Sequence, residues 1–345
     1  MKTVFVLGAG ASQDVGMPTG KELKNSIADL LSIETGRTYA ETIYEAIHFL
    51  SYNDKKERKY LEAAEILNRG LPLEISIDNF LDKHKDNEYI VTCGKLAITF
   101  SILLYERACK LYNEDSSDLV IGSDSEKKTW HTLCFQKITE NCLLHDLKER
   151  LQSITFVIFN YDRCFEQFFY YAFMQDYAVD KNTAKEIIKN MNIIHPYGTV
   201  DKFDGSNLGA PNGLNGSQLA ELSKNIKTFM EHIDSSSNDY IKTNDAFKEA
   251  NRIIFLGFAY HEQNMKLLYP DLLKSNLFEE VIRTGKKDVN IYGIGYGISY
   301  NDRIWIQNMF RKIDKRVQNP DILNVDCKKL FTDFWYRISF NEDKA

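Results

Sequence analysis

Val4-Phe5-Val6-Leu7-Gly8-Ala9-Gly10-Ala11-Ser12 is the stretch that decides the fold. Four consecutive apolar residues, mostly β-branched or aromatic, have the pattern of a strand buried on both faces, as in a parallel sheet. The run stops at a glycine-rich turn. After Gly16, Pro18 and Gly20 the apolar spacing becomes helical, through Leu23, Ile27, Leu30 and Leu31. The chain therefore opens strand, glycine turn, helix.

The strand signature returns at residues 155–159, 192–195, 252–257 and 289–293, and helical patterns such as 165–174 and 219–230 separate most of these runs. Strands alternating with helices predict an α/β fold, a Rossmann-like parallel sheet with right-handed crossovers. Residues 40–150 read differently. Ile43, Ala46, Ile47 and Leu50 recur at helical spacing, as do the apolar residues of 96–108, and charged clusters such as 54–59 interrupt them. The expectation is a single domain over 1–345 with a mainly helical insertion at 40–150. Residues 113–128, 201–217 and 234–245 read as loops. Trp305, Ile306, Met309, Phe310 and Ile313 form a helix-like tail, and Phe334-Trp335-Tyr336 suits either core or interface.

Composition narrows the function classes. With 43% hydrophobic and 27% charged residues among 345, neither a disordered nor a collagen-like chain fits. A net charge of -6 gives no general polyanion signal, so direct sequence-specific nucleic-acid binding is not expected. No unbroken apolar run approaches the roughly 20 residues that span a bilayer. The apolar stretch at the N-terminus is too short for a signal peptide, so a cytoplasmic protein without membrane contact is expected. The six cysteines (Cys93, Cys109, Cys134, Cys142, Cys164, Cys327) contain no C-x-x-C pair, so no zinc module or other metal is expected.

In an open α/β sheet, ligands bind at the carboxyl ends of the strands near the point where strand order reverses. Four strands end in polar or glycine clusters: Gly8-Ala9-Gly10-Ala11-Ser12, Asn160-Tyr161-Asp162, His195-Pro196-Tyr197-Gly198, and the run from Gly257 and Phe258 through His261 to Asn264. The glycine turn suits a pyrophosphate lying against backbone amides and a helix N-terminus, or a tight turn with no ligand. It departs from the dinucleotide fingerprint, since the third glycine is displaced to Gly16 and no acidic residue obviously ends a second strand near residue 30. It is not a phosphate-binding loop of ATPases either, because Lys21 lacks that motif's partners. Asn160 and Asp162 suit a ribose site or helix capping. His195 suits proton transfer near neutral pH or a structural role, and His261 is the alternative base.

The motifs G-A-G-A-S…G-M-P, F-N-Y-D, I-I-H-P-Y-G and F-L-G-F-A-Y-H-E-Q-N-M occur in this order over about residues 3–300. Together they resemble the sirtuin-like domains of bacterial antiphage systems, which act as NAD hydrolases. Ser76-Ile77-Asp78-Asn79-Phe80-Leu81 is also similar to a recurrent segment of these proteins. The chain lacks the four-cysteine zinc module of protein-deacylating sirtuins. Thr19-Gly20-Lys21-Glu22 stands where their arginine-containing loop follows the G-x-P. Tyr197, not a histidine, precedes Gly198, and His195 lies two residues earlier.

The resemblance implies NAD+ as substrate, cleaved to nicotinamide and ADP-ribose so that NAD is depleted in abortive infection. It implies that Asn160 holds the ribose and a water, that His195 is the base and that Asp162 supports them. Gly8, Ala9, Gly10 and Ala11 would meet the pyrophosphate through amides, with Ser12 donating a hydroxyl. Gly257, Phe258 and Asn264 would line the adenosine side. A homo-oligomer and a regulatory partner, a HerA-like ATPase or a nucleotide-processing enzyme, are also implied. The competing expectations are a non-catalytic NAD or ADP-ribose sensor or scaffold and, less well supported, an NAD-dependent deacylase.

Overall fold

The computed structural model describes residues 1–32, 38–52, 56–113, 129–211, 213–232, 237–269 and 288–340. Its elements in chain order are β1 (Thr3–Leu7), α1 (Gly20–Leu30), α2 (Thr38–Ser51), α3 (Glu57–Gly70), α4 (Ile77–Lys83), α5 (Glu88–Ala108), α6 (Trp130–Thr139) and α7 (Leu144–Gln152). There follow β2 (Ile154–Ile158), α8 (Cys164–Asp176), α9 (Lys181–Lys189), β3 (Asn192–Ile194), α10 (Gly216–Ser223), α11 (Phe229–His232) and α12 (Asn238–Glu249). The last are β4 (Arg252–Leu256), α13 (Glu262–Leu268), β5 (Asn290–Ile294), α14 (Tyr300–Ile313), β6 (Asp321–Leu323) and α15 (Cys327–Asp333).

The six strands form one all-parallel sheet in the order β3-β2-β1-β4-β5-β6. This is the Rossmann-like strand order, and its reversal falls at β1, with β2 on one side and β4 on the other. The register matters for function. Leu7 pairs with both Ile158 and Leu256, so β1, β2 and β4 end level. Gly8, Asn160 and Gly257 therefore emerge side by side along one edge of the sheet.

Burial explains why these apolar runs become central strands. Every residue of β1 and β4 is buried, and Phe5 stacks on Phe156 at 5.1 Å between ring centroids. Each such aromatic side chain removed from water contributes about 1.5–3 kcal/mol. Arg252 is the exception in β4. Its guanidinium donates to the Thr3 hydroxyl and to the carbonyls of Arg337 and Ser339, so its charge is hydrogen-bonded although it is buried.

Between β1 and β2 the chain runs through residues 8–153, helical over most of its described part. α5 packs on α1, α3 and α4, and α10, which comes from the β3–β4 connection, packs on α2 and α5. The helical layer thus draws on two separate stretches of chain. By length and composition α5 is the one described helix apolar enough to cross a membrane, with mean hydropathy 1.3 over its most apolar window, yet most of that window is buried within the protein.

All five sequence-predicted strands form. β6 is an addition: three residues pairing with β5 at the sheet edge, too short and too mixed to read as an apolar run. The expected loop at 234–245 is helix α12 from Asn238 onward, where Thr243 and Phe247 are buried one turn apart among polar neighbours. The described residues of 201–215 are irregular, and Gly216 opens α10 behind an Asn215/Gln218 capping box. Most of 113–128 lies outside the described residues. Ile306, Met309, Phe310 and Ile313 bury the inner face of α14, and Trp305 is turned outward.

Candidate functional site

Two strand-end turns lock together beneath the site. The Gly8 amide donates to Leu256 O (2.9 Å), the Gly10 amide to Gly257 O (3.1 Å) and the Ala11 amide to Gly8 O (2.8 Å). A Cβ at Gly8 would stand 2.5 Å from Gly257 O. Gly257 has φ +58°, and a Cβ there would lie 1.9 Å from the Ala11 nitrogen. The glycines are demanded by this contact of turn on turn. Trp130 of α6 fixes it further by donating from Nε1 to Ala11 O (2.6 Å). The expectation that Gly8, Gly10 and Ala11 offer amides to a pyrophosphate is corrected accordingly: those three donors are committed to protein carbonyls.

Above the turns lies a cleft of about 820 Å³, a size suited to a nucleotide-like ligand. Gly8, Ala9 and Gly10 form its floor, and Asn160, Tyr161 and Asp162 its back. Thr19, Gly20 and Lys21 at the start of α1 contribute one side, and Gly257, Phe258, His261 and Asn264 another. The helical insertion closes it with Ser76, Ile77, Asp78, Asn79 and Ile102. Ala11, Ser12 and His195 do not line it.

Asn160 is 6% exposed and is held from two directions. Its Nδ2 donates to Ser12 Oγ (2.8 Å), and Ser12 Oγ donates weakly to Asp162 Oδ1 (3.4 Å). The same Asp162 oxygen accepts the Cys164 amide (3.0 Å) at the start of α8. Ser12 is therefore a strut under Asn160 rather than a ligand contact. Asn160 Oδ1 is buried without a hydrogen-bond partner. Such an acceptor costs about 1–3 kcal/mol when left unsatisfied, and a donor arriving in the cleft would relieve it. Burial, with the Glu106 charge adding to it, raises the Asp162 carboxyl to about 6.

His195 stands behind Asn160. Its Nδ1 donates to Asn160 O (3.2 Å) and its Nε2 faces Glu166 Oε1 (2.8 Å). Both partners are acceptors, so the doubly protonated ring fits this position. Burial opposes the charged ring, but the Glu166 carboxylate outweighs it, and the pKa is raised. Both ring nitrogens of His195, expected as the base, thus face protein acceptors, and the ring stands behind the cleft rather than on its lining. Its geometry makes it a brace for the Asn160 backbone. His261 is the histidine that lines the cleft, and desolvation lowers its pKa, leaving the neutral form available.

The His195–Glu166 pair carries a pH signature. A histidine whose folded pKa is raised stabilises fully below its unfolded value, near 6.5, and loses that stabilisation as pH rises through the folded value. Chemical denaturation of the wild type across pH 6–9 is expected to show this loss, and Glu166→Gln to flatten it. Equal slopes in the two proteins would remove the pair from the account.

On the opposite wall Phe258 is buried and meets Phe159 edge-on at 5.1 Å. Asn264 Oδ1 accepts the Tyr197 hydroxyl (2.9 Å), which leaves its amide nitrogen as the group to present to a ligand. Glu106 and Arg163 escaped the sequence reading. Arg163 Nη2 meets Glu106 Oε2 at 2.6 Å in the interior, beside Asp162. The signal for it was a lone carboxylate inside the apolar 96–108 run. Among the described residues no three His, Cys, Asp or Glu side chains group as a metal site, and the six cysteines are buried free thiols.

Comparison of the chain with protein-family models, curated proteins and solved structures finds no match.

Proposed function

We propose that the cleft binds NAD+ and breaks its nicotinamide–ribose bond, giving nicotinamide and ADP-ribose. Asn160 carries the proposal: a nine-tenths buried carboxamide, braced by Ser12 and His195, with Oδ1 unpartnered at the switch point of a Rossmann-order sheet. A ribose hydroxyl or the attacking water is the donor this oxygen lacks.

Glycosidic cleavage of this kind passes through an oxocarbenium-like sugar. The electrons of the broken C–N bond neutralise the nicotinamide nitrogen, so the leaving group needs no strong acid. Water adds its hydroxyl to C1′ and gives up a proton to His261, which lines the cleft. Asp162, beneath the ribose side, balances the developing positive charge. Lys21 and the first amides of α1 flank the cleft, in a position to meet the phosphates that the committed amides of the glycine turn do not. NAD depletion in antiphage defence, under a HerA-like ATPase, a nucleotide-processing partner or self-assembly, is the setting proposed for this activity.

The test is to incubate the protein with NAD+ and follow free nicotinamide. Release is expected, and His261→Ala is expected to slow it about 10²-fold. His195→Ala acts through the position of Asn160 and should change KM and kcat together. Binding of NAD+ with no release of nicotinamide would favour the sensor reading, which the engagement of both His195 nitrogens by protein acceptors supports.

A further inference from the structure

We infer that Asp78, carried by the helical insertion, faces the positively charged nicotinamide end of the ligand and makes the site selective for the oxidised dinucleotide. The inference rests on the NAD+-cleaving reading above and names the residue that recognises the charge.

Asp78 lies in the first turn of α4, half-buried, and lines the cleft on the wall facing the strand ends. Its Oδ1 accepts the Tyr161 hydroxyl. Tyr161 directly follows Asn160 in the chain, so the carboxylate is held within one tyrosine side chain of the Asn160 backbone. The Ser76 hydroxyl accepts the Asn79 amide (3.1 Å) and fixes the start of the helix that carries Asp78. Unlike Asp162, whose Oδ1 is engaged by Ser12 and Cys164, Asp78 is bonded across to a neighbouring wall while remaining open to the cleft.

The surroundings match a flat aromatic cation. Tyr197 and Phe159 meet edge-on at 5.9 Å, Phe159 and Phe258 at 5.1 Å, and Tyr161 tilts against Tyr197 at 6.2 Å, all four lining the cleft. These rings offer apolar and π surface, to which a cation is attracted. Burial holds the Asp78 carboxyl above the ordinary range against the pull of the Tyr161 hydroxyl, and a carboxylate short of solvation gains most from an arriving cation. Dihydronicotinamide has nearly the same shape and no charge, so the two redox forms separate charge from fit.

The experiment is equilibrium binding to the full-length protein of three probes: carbocyclic NAD+, which keeps the cationic ring but cannot form an oxocarbenium; NADH; and ADP-ribose, which lacks the nicotinamide. The wild type is expected to bind carbocyclic NAD+ at least tenfold more tightly than NADH, about 1.4 kcal/mol. Asp78→Asn is expected to bring that ratio to within about twofold of unity while ADP-ribose affinity is unchanged. Tyr161→Phe, which keeps the carboxylate, should keep the preference, and Asp78→Ser replaces Asp78→Asn should the latter fail to fold. If carbocyclic NAD+ binds the wild type but the ratio survives removal of the carboxylate, Asp78 is not the recognition group and NAD+ cleavage stands without it. If none of the three binds the wild type, the NAD+ reading falls and this inference with it.

Discussion

Asn160→Ala is expected to yield a folded protein that releases nicotinamide about 10²–10³-fold more slowly than the wild type, the usual loss when one preoriented polar group is removed from an active site. The stability side is what makes the test clean. The substitution deletes the Nδ2 bond to Ser12, worth about 1 kcal/mol. It also deletes an oxygen that is buried with no partner, whose removal recovers a comparable amount. Ser12 keeps its link to Asp162, and the His195 bond to Asn160 goes to the backbone carbonyl, which alanine retains. The thermal midpoint should therefore move little while turnover collapses. Wild-type turnover in this variant would remove Asn160 from the chemistry. A collapse of both midpoint and turnover would assign it to the fold.

The elements legible in the sequence were those that carry their own periodicity. β1, β2 and β4 are runs of residues buried on both faces, and such runs read as strands whatever surrounds them. The glycines of 8–10 and at 257 were legible as special positions, but not in purpose. Only the level ending of β1 and β4 reveals that they exist to let two turns touch. The surroundings of His195 are hidden for a related reason. Sequence places it at a strand end, but Glu166, the partner that engages its Nε2, lies 29 residues away on a helix that reads as apolar. Asp78 has no role legible in the sequence, because its bond to Tyr161 crosses 83 residues. Long-range polar pairs of this kind leave no trace in local pattern. α12 was lost differently, its two buried positions being too few to show a helical stripe.

Glu106→Ala is the change expected to cost the most stability, about 3–5 kcal/mol, because it strands a buried charge. Glu106 is 0% exposed near the end of α5. It accepts the Arg163 amide (2.8 Å), Arg163 Nε (3.2 Å), Arg163 Nη2 (2.6 Å) and the Gly209 amide (2.8 Å). Removing the carboxylate leaves four donors unsatisfied in the interior, and Asp201, 3.9 Å from Arg163 Nη1 and half exposed, replaces little of it. Against the 5–15 kcal/mol that ordinarily separates folded from unfolded, that is a large share. Pairing it with Arg163→Met removes the stranded charge, so the double variant should be more stable than Glu106→Ala alone. Urea titrations of the two singles and the double measure this directly. An Ala variant within 1 kcal/mol of wild type would show that water or Asp201 already satisfies Arg163. The consequence reaches the chemistry, since Arg163 stands between Asp162 and Cys164, where α8 begins. Loosening it frees the Asp162–Cys164 cap, and with it the Ser12 strut under Asn160. Turnover should therefore fall in Glu106→Ala at temperatures where the protein is still folded, and recover partly in the double variant. That order of events would tie the helical insertion to the site by a buried ion pair as well as by the cleft wall it supplies.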